Sequence, residues 1–245
     1  MKTTSHSEQI SAELRNDILR GRYRSGERLP SERDLAQRFE VHRGAVREAL
    51  KKLEQLGLAK IEAGGARVNP VEEASLDIVQ HLLTLSDPPD PRIVYEILET
   101  TSAIMALGFR LCAEHADEAD HQRASALLER LSQHDLGGAE EFELFTELGD
   151  LVAQSSGNTV IALVHRGLRT RLLEKLYADG SLLPSDNEER PRLVAELARA
   201  FAARQGPESA EAAHQISAAL RARTMTTLSV EFEKNNGSGS GRNSS

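Results

Sequence analysis

Residues 29–57 read LPSERDLAQRFEVHRGAVREALKKLEQLG. Ser31 is of the residue class that caps a first helical turn, and Asp34, three positions on, can answer it across that turn. Leu35, Ala36 and Phe39 mark the inner side of a short helix. Glu40-Val41-His42 interrupts it. A second helix is expected from Arg43 to about Leu56, because Val46, Leu50 and Leu53 recur at i, i+4 and i+7 and form one apolar stripe. Arg43, Arg47 and Lys51 recur at i+4 on an adjacent stripe. Gly57 can take the left-handed conformation that ends such a helix. Two short helices, a tight turn and cations at the head of the second helix give the geometry of a helix-turn-helix. In that motif the second helix enters the DNA major groove by its N-terminal residues. A basic stripe alone is the ordinary solvated face of an amphipathic helix, so the flanking segments decide.

Upstream, Ser7 to Arg20 reads as a helix with Ile10, Leu14 and Ile18 on one face, and residues 1–5 read as disordered. Gly21 and Gly26 bracket the turn that follows. Downstream, LAKIEAGGARVN, 58–69, alternates Ala59, Ile61 and Ala63 with Lys60 and Glu62, then turns at Gly64-Gly65. That is a β-hairpin. A hairpin directly after three helices makes a winged helix. Its glycine tip lets backbone N–H groups come close to phosphates.

Charge separates the chain into two parts. Residues 1–69 carry 14 Lys+Arg and 10 Asp+Glu, while residues 70–245 carry 16 and 28, within a net charge of −8. The basic part suits phosphate contact; the acidic part would be repelled by DNA. The chain of 245 residues suits one large or two ordinary domains, and with 39% apolar residues and no Trp its cores must be aliphatic. The single Cys112 excludes an internal disulfide framework and a Cys-rich zinc site, and it reads as a buried thiol. No apolar run reaches the ~18 residues of a membrane span, and MKTTSHSEQI lacks the apolar core of a signal peptide. A cytoplasmic protein is expected.

From Pro70 the pattern is helical. Leu76, Val79, Leu82 and Leu83 predict a helix over 72–86, SDPPDP (86–91) breaks the chain, and further helices are expected at 92–115, 117–134, 139–155, 158–178, 188–205 and 208–232. An all-α bundle of about seven helices fits. The fold class is therefore mainly α, an N-terminal winged helix-turn-helix followed by a helical bundle. The expected division is 1–70 for DNA binding, 71–232 for ligand binding and dimerisation, and 233–245 as a disordered polar tail.

The run LPSERDLAQRFEVHRGAVREALKKLEQLGL, continued by EAGGARV, resembles the DNA-binding signature of the GntR family of bacterial transcription regulators. The helical remainder resembles the FCD effector domain of its FadR subfamily, with LVAQSSGNTVIALV (151–164) similar to a helix–SGN–helix junction of that domain. The resemblance implies DNA contacts at Arg33, His42, Arg43, Gly44, Arg47 and Gly64. Arg43 and Arg47 would read guanine edges, which an arginine can engage in bidentate fashion. His42 stands where the family usually has a capping Ser or Thr, and Ala45 replaces a frequent Thr. For Arg33 the alternative is a surface salt bridge with Glu32 or Glu40.

The resemblance also implies a divalent metal in much of the subfamily, held by an Asp, a His four residues later and two further His. Here the first two positions fall on Phe145 and Gly149, which cannot ligate, and His214 lies about one turn early for the last. An Arg and a Glu that commonly face the pocket become Thr101 and Met105. The expectation is no metal and no cofactor, with a cavity around Met105, Phe145, Leu148 and Gly149 that suits an apolar effector such as a fatty acyl-CoA better than a dicarboxylate. The same residues also describe a packed core without a ligand. His165, Arg166, Arg169 and Arg171 could meet a phosphate-bearing head group or form an exposed helix face. A metal site with His165, His214 and a carboxylate is the rival reading, and an enzyme with an appended DNA-binding domain is the other. Against the enzyme, no nucleophile–base–acid set and no Gly-rich nucleotide loop are visible. The expected partners are a palindromic operator, a second copy of the chain and the effector, with no membrane.

Overall fold

The computed structural model describes residues 5–168 and 189–237, with side chains as far as Leu228. The chain forms two units, which meet between Asp87 and Pro88.

In the first unit, α1 (His6–Leu19) starts at Ser5, whose hydroxyl accepts from Glu8 N at 3.3 Å while Glu8 Oε2 accepts from Ser5 N at 2.9 Å. These reciprocal bonds satisfy two donors that a helix end leaves open. Ser31 caps α2 (Glu32–Arg38) by accepting from Asp34 N at 3.2 Å. The turn to α3 (Arg43–Gln55) passes through Glu40 in the left-handed region, φ 54°. Ile10, Leu14 and Ile18 from α1, Leu35 from α2, and Val46, Ala49, Leu50 and Leu53 from α3 bury together in one core. Strands β1 (Ala59–Glu62) and β2 (Gly65–Val68) pair antiparallel, in register from Ala59 opposite Val68 to Glu62 opposite Gly65. The segment expected as a plain turn adds a third strip to this sheet. Gly26 N donates to Val68 O at 2.8 Å, Val68 N to Glu27 O at 2.9 Å, and Leu29 N to Ala66 O at 2.9 Å.

The helix expected over 72–86 is broken into two 3-10 turns, Val71–Glu73 and Leu76–Ile78, and a short α4 (Val79–Leu83). Ser75 causes the break. Its N–H is held by Leu56 O at 2.9 Å, and its hydroxyl caps Asp77 N at 3.2 Å, so the helix restarts there. Ile78 and Leu82 then pack on the winged-helix core. Residues 71–87 therefore belong to the first unit, and the division expected after residue 70 lies further along.

Gly57 stops α3 at φ 71°, and a Cβ there would lie 2.8 Å from Glu73 O and 3.0 Å from Ala74 Cα. The residue is therefore glycine both for its dihedral and for the backbone that crosses it. Gly57→Ala is expected to destabilise this unit by about 1–2 kcal/mol from the left-handed strain together with the overlap. A midpoint shift in urea unfolding measures it; an unchanged midpoint would contradict the crossing.

The second unit is helical throughout its described part. Its elements are α5 (Pro91–His115), α6 (Glu118–Leu131), α7 (Gly138–Ser155), α8 (Thr159–Leu168), α9 (Glu189–Ala202) and α10 (Gly206–Gly237). Asp90 caps α5 and Pro91 opens it, where a missing N–H costs nothing. Phe109, Cys112, Leu128, Leu131, Leu148, Val152, Val194, Leu197 and Phe201 share one core. Burial pushes the Cys112 thiol up to about 11, so it stays protonated and inert. Arg204, in the left-handed region at φ 55°, ties two helix junctions together: it donates to Ala113 O at 3.4 Å, Ala116 O at 3.1 Å and Glu118 Oε2 at 3.1 Å. The helix expected to reach residue 178 is described as far as Leu168, and its remainder lies outside the described residues. α10 continues through Gly237, past the point where the disordered tail was expected to begin. Propagation costs little while no Gly or Pro intervenes, and after the helix's opening Gly206-Pro207 the next such residue is Gly237. Residues 238–245 of that tail lie outside the described residues.

Candidate functional site

α3 buries Val46, Ala49, Leu50 and Leu53, and at 3.6 residues per turn this leaves Arg43, Gly44 and Arg47 exposed at its head. Arg43 has no ion pair among the described residues. Arg47 donates from Nε to Glu32 Oε1 at 3.1 Å and from Nη2 to Glu32 Oε2 at 2.9 Å. That bidentate hydrogen bonding holds the Glu32 carboxyl below its ordinary range. Arg33 is exposed and lies 3.6 Å from Asp34, so neither Glu32 nor Glu40 is its partner. A Cβ on Gly44 would meet only His42 at an ordinary 3.7 Å, so packing does not demand glycine there. Gly64 forms the wing tip at φ 114°, and a Cβ on it would lie 3.9 Å from both terminal nitrogens of Arg28. Arg28 is a cation that the sequence reading missed. The third strip of the sheet carries it to the wing tip, and backbone pairing leaves no mark in the side-chain pattern.

In the helical unit, Met105, Gly149 and His165 come together from α5, α7 and α8. A Cβ on Gly149 would lie 3.3 Å from His165 Cε1 and 3.9 Å from Met105 Cε. The room expected at Gly149 is thus filled by the His165 ring, which bonds Asp150 Oδ1 at 3.1 Å. Met105 and Phe145 pack half-buried on the core, and Leu148 is buried. Thr101 Oγ1 is buried without a hydrogen-bond partner among the described residues. His214 is exposed and meets Ser102 Oγ at 3.3 Å, so His165 and His214 have different partners. Among the described residues no three His, Cys, Asp or Glu side chains converge as a metal site would require. Arg166 is exposed, and Arg169 and Arg171 lie outside the described residues. A cleft of about 450 Å³ between Arg123 and the α7 residues Phe142, Thr146 and Asp150 contains none of the expected effector residues.

Residues 6–68 match the model of the bacterial regulatory proteins of the GntR family, and residues 96–221 match the FCD domain. The chain belongs to the GntR family. It is a DNA-binding transcriptional regulator with an FCD effector domain. It is 30% identical over 186 residues to an uncharacterized HTH-type transcriptional regulator of Mycobacterium tuberculosis, covering 73% of this chain and 76% of that one. It is 28% identical over 154 residues to the fatty acid metabolism regulator protein of Serratia proteamaculans, covering 62% of this chain and 63% of that one. The solved structure of Lar, described as controlling expression of the Listeria monocytogenes agr system, shares the fold. Its TM-score is 0.54 at 14% identity, over 92% of this chain and 99% of that one. No described helix of this GntR-family chain is long and apolar enough to cross a membrane.

His42 sits at the N-cap of this regulator's α3 with extended dihedrals and makes no side-chain cap bond. The first turn therefore leaves an open donor that a hydroxyl would satisfy. His42→Ser is expected to stabilise the winged helix by about 1 kcal/mol. Thermal or urea unfolding reads the gain, and a loss of stability would show that the His42 ring is packed rather than idle.

Proposed function

We propose that this GntR-family regulator binds a two-fold symmetric operator as a cytoplasmic homodimer, carries no resident metal, has no enzymatic activity, and is released from DNA by an apolar acyl-type effector. The effector reading rests on the apolar side chains Met105, Phe145 and Leu148 around Gly149, where an acyl chain would enter by displacing the His165 ring that fills the space. Apolar side chains with few polar groups among them suit an acyl chain, and Phe145 and Gly149 offer no ligand atom to a metal. A relative named as a fatty acid metabolism regulator supports the same class. DNA contact rests on Arg43, Arg47 and Gly64, with Arg33 and Arg28 beside them.

The homodimer is supported by an apolar patch. Val160 and Leu163 of α8 are 66% and 64% exposed, and Leu107 of α5 is 39% exposed. α8 packs on α5, with a Cβ on Gly108 lying 3.7 Å from Ile161. Glu99 and Arg110 flank Ala103 and Leu107 on the outer side of α5. An antiparallel pairing of two α5 helices would set Glu99 of one copy near Arg110 of the other, as an isologous interface requires.

The effector assay is operator release followed by gel shift. Long-chain acyl-CoA is expected to release the protein at concentrations where lactate, pyruvate and citrate leave it bound; the reverse ranking would overturn the acyl reading. Native mass spectrometry of the purified protein is expected to give a dimer mass without metal. Stoichiometric zinc, nickel or manganese would favour a carboxylate sensor built on the Asp150–His165 pair.

A further inference from the structure

We propose a second ligand site, for a monocarboxylate, on the seam between α5 and α10, with Arg221 and Thr224 as its donors. It lies apart from Met105, Gly149 and His165, and it stands whether or not the effector there is an acyl chain.

α5 and α10 run antiparallel, as the contacts Ser102–His214 and Tyr95–Arg221 show. Hydroxyls on α10 usually turn back on their own helix. Ser209, Ser217, Thr226 and Thr227 donate to the carbonyl four residues earlier at 2.7, 2.9, 3.0 and 3.3 Å. Thr224 does not. It is 1% exposed, and its Oγ1 has no partner among the described residues. One turn earlier, the Nη1 of Arg221 is also buried with no acceptor among the described residues.

The guanidinium lies over the Tyr95 ring, 5.2 Å from its centroid. A ring face stabilises the charge, and the Nη1 of Arg221 is still without a hydrogen-bond acceptor among the described residues. Of the two α5 carboxylates near Tyr95, Glu96 accepts from Arg92 at 3.3 Å and Glu99 from the Tyr95 hydroxyl at 3.1 Å. Buried donors without acceptors are rare in folded proteins, and a charged one rarer still. Positions 221 and 224 are i, i+3 neighbours on one face of α10, so a single carboxylate on that face would accept from both.

Arg221 is half-buried with its Nη1 enclosed, and this one cation balances one negative charge, which favours a monocarboxylate over phosphate or a dicarboxylate. The antiparallel register sets Val94, 1% exposed, opposite residue 222, and Leu228, one turn beyond Thr224, is also 1% exposed. A ligand lying along this stretch would meet apolar side chains and so would need an apolar body.

Octanoate is the probe, with 1-octanol and inorganic phosphate as controls, titrated calorimetrically into the full chain. Saturable uptake of octanoate, one per chain at this site, is expected, with none for octanol or phosphate. Arg221→Met is expected to weaken it at least tenfold and Thr224→Val several-fold. Arg192→Ala, which changes an exposed arginine of α9, should leave it unchanged. Thr224→Val keeps side-chain volume, so the test survives if Arg221→Met fails to fold. No saturable uptake would mean that ordered water satisfies these donors, and the proposal falls. Uptake that neither Arg221→Met nor Thr224→Val alters places octanoate elsewhere; the proposal falls then too, while the acyl-effector reading is untouched.

Discussion

Arg43→Ala and Arg47→Ala are each expected to cost about 1–3 kcal/mol of specific operator binding, and together to bring it down to the level of non-specific DNA. The two losses have different physical origins. Arg43 is exposed and has no ion pair among the described residues, so its removal should delete only the proposed DNA contact and leave fold stability unchanged. Arg47 is oriented before DNA arrives by its bidentate pair with Glu32. Its removal would also leave the Glu32 carboxylate without its hydrogen-bonded cation beside the proposed DNA contact. Glu32→Gln in the Arg47→Ala background should therefore recover part of the loss, whereas in the Arg43→Ala background it should recover less. Glu32 gives no pH lever near neutrality: its carboxyl is held below the ordinary carboxylate range, so the pair is intact at neutral pH and is lost only as acid protonates it. Fluorescence anisotropy on operator and scrambled DNA at one salt concentration separates the terms. If both single variants bound operator as wild type does and kept their preference over scrambled DNA, α3 would not be the reading helix.

The winged helix was legible because its determinants are local. Val46, Leu50 and Leu53 at helical spacing, Ser31 with Asp34, and the Gly64-Gly65 pair each act within a few residues. Several of the misreadings involve partners distant in sequence. Leu76, Val79, Leu82 and Leu83 satisfy the helical period, yet Ser75 is held by Leu56 and restarts the chain. The strip 26–29 pairs with β2 through backbone atoms alone, so Arg28 went unnoticed. Gly57 was readable as a helix stop, but not as the place where Glu73 crosses. At the effector region, sequence shows the side chain that Gly149 lacks. It does not show the His165 ring that fills the space from another helix. The hydroxyl of Thr224 is likewise an ordinary helical threonine until its neighbours' bonds are compared.

Phe201→Ala is expected to destabilise the helical unit by about 3–5 kcal/mol. Phe201 is fully buried near the end of α9. Its ring meets Phe109 edge-on at 6.2 Å and stacks on His121 at 4.9 Å, with planes 10° apart. The hydrogen bond between His121 Nε2 and Phe201 O, 2.9 Å, involves the backbone and survives the substitution. The surviving bond fixes the His121 ring beside the vacated volume, and Arg204 fixes the following turn onto Ala113 and Ala116. Neither wall can move in, so the cavity stays open and the cost lies at the upper end for its size. Phe201→Leu fills most of the space and should cost under about 1.5 kcal/mol. Because the two units have separate cores, unfolding of the full chain should show the later-sequence unit weakened and the winged helix unmoved, a departure from a single transition. A change below about 1 kcal/mol for Phe201→Ala would mean that α5, α6 and α10 close over the gap. The bundle would then be deformable enough to be reshaped by a ligand, rather than the rigid frame that Arg204 and His121 build.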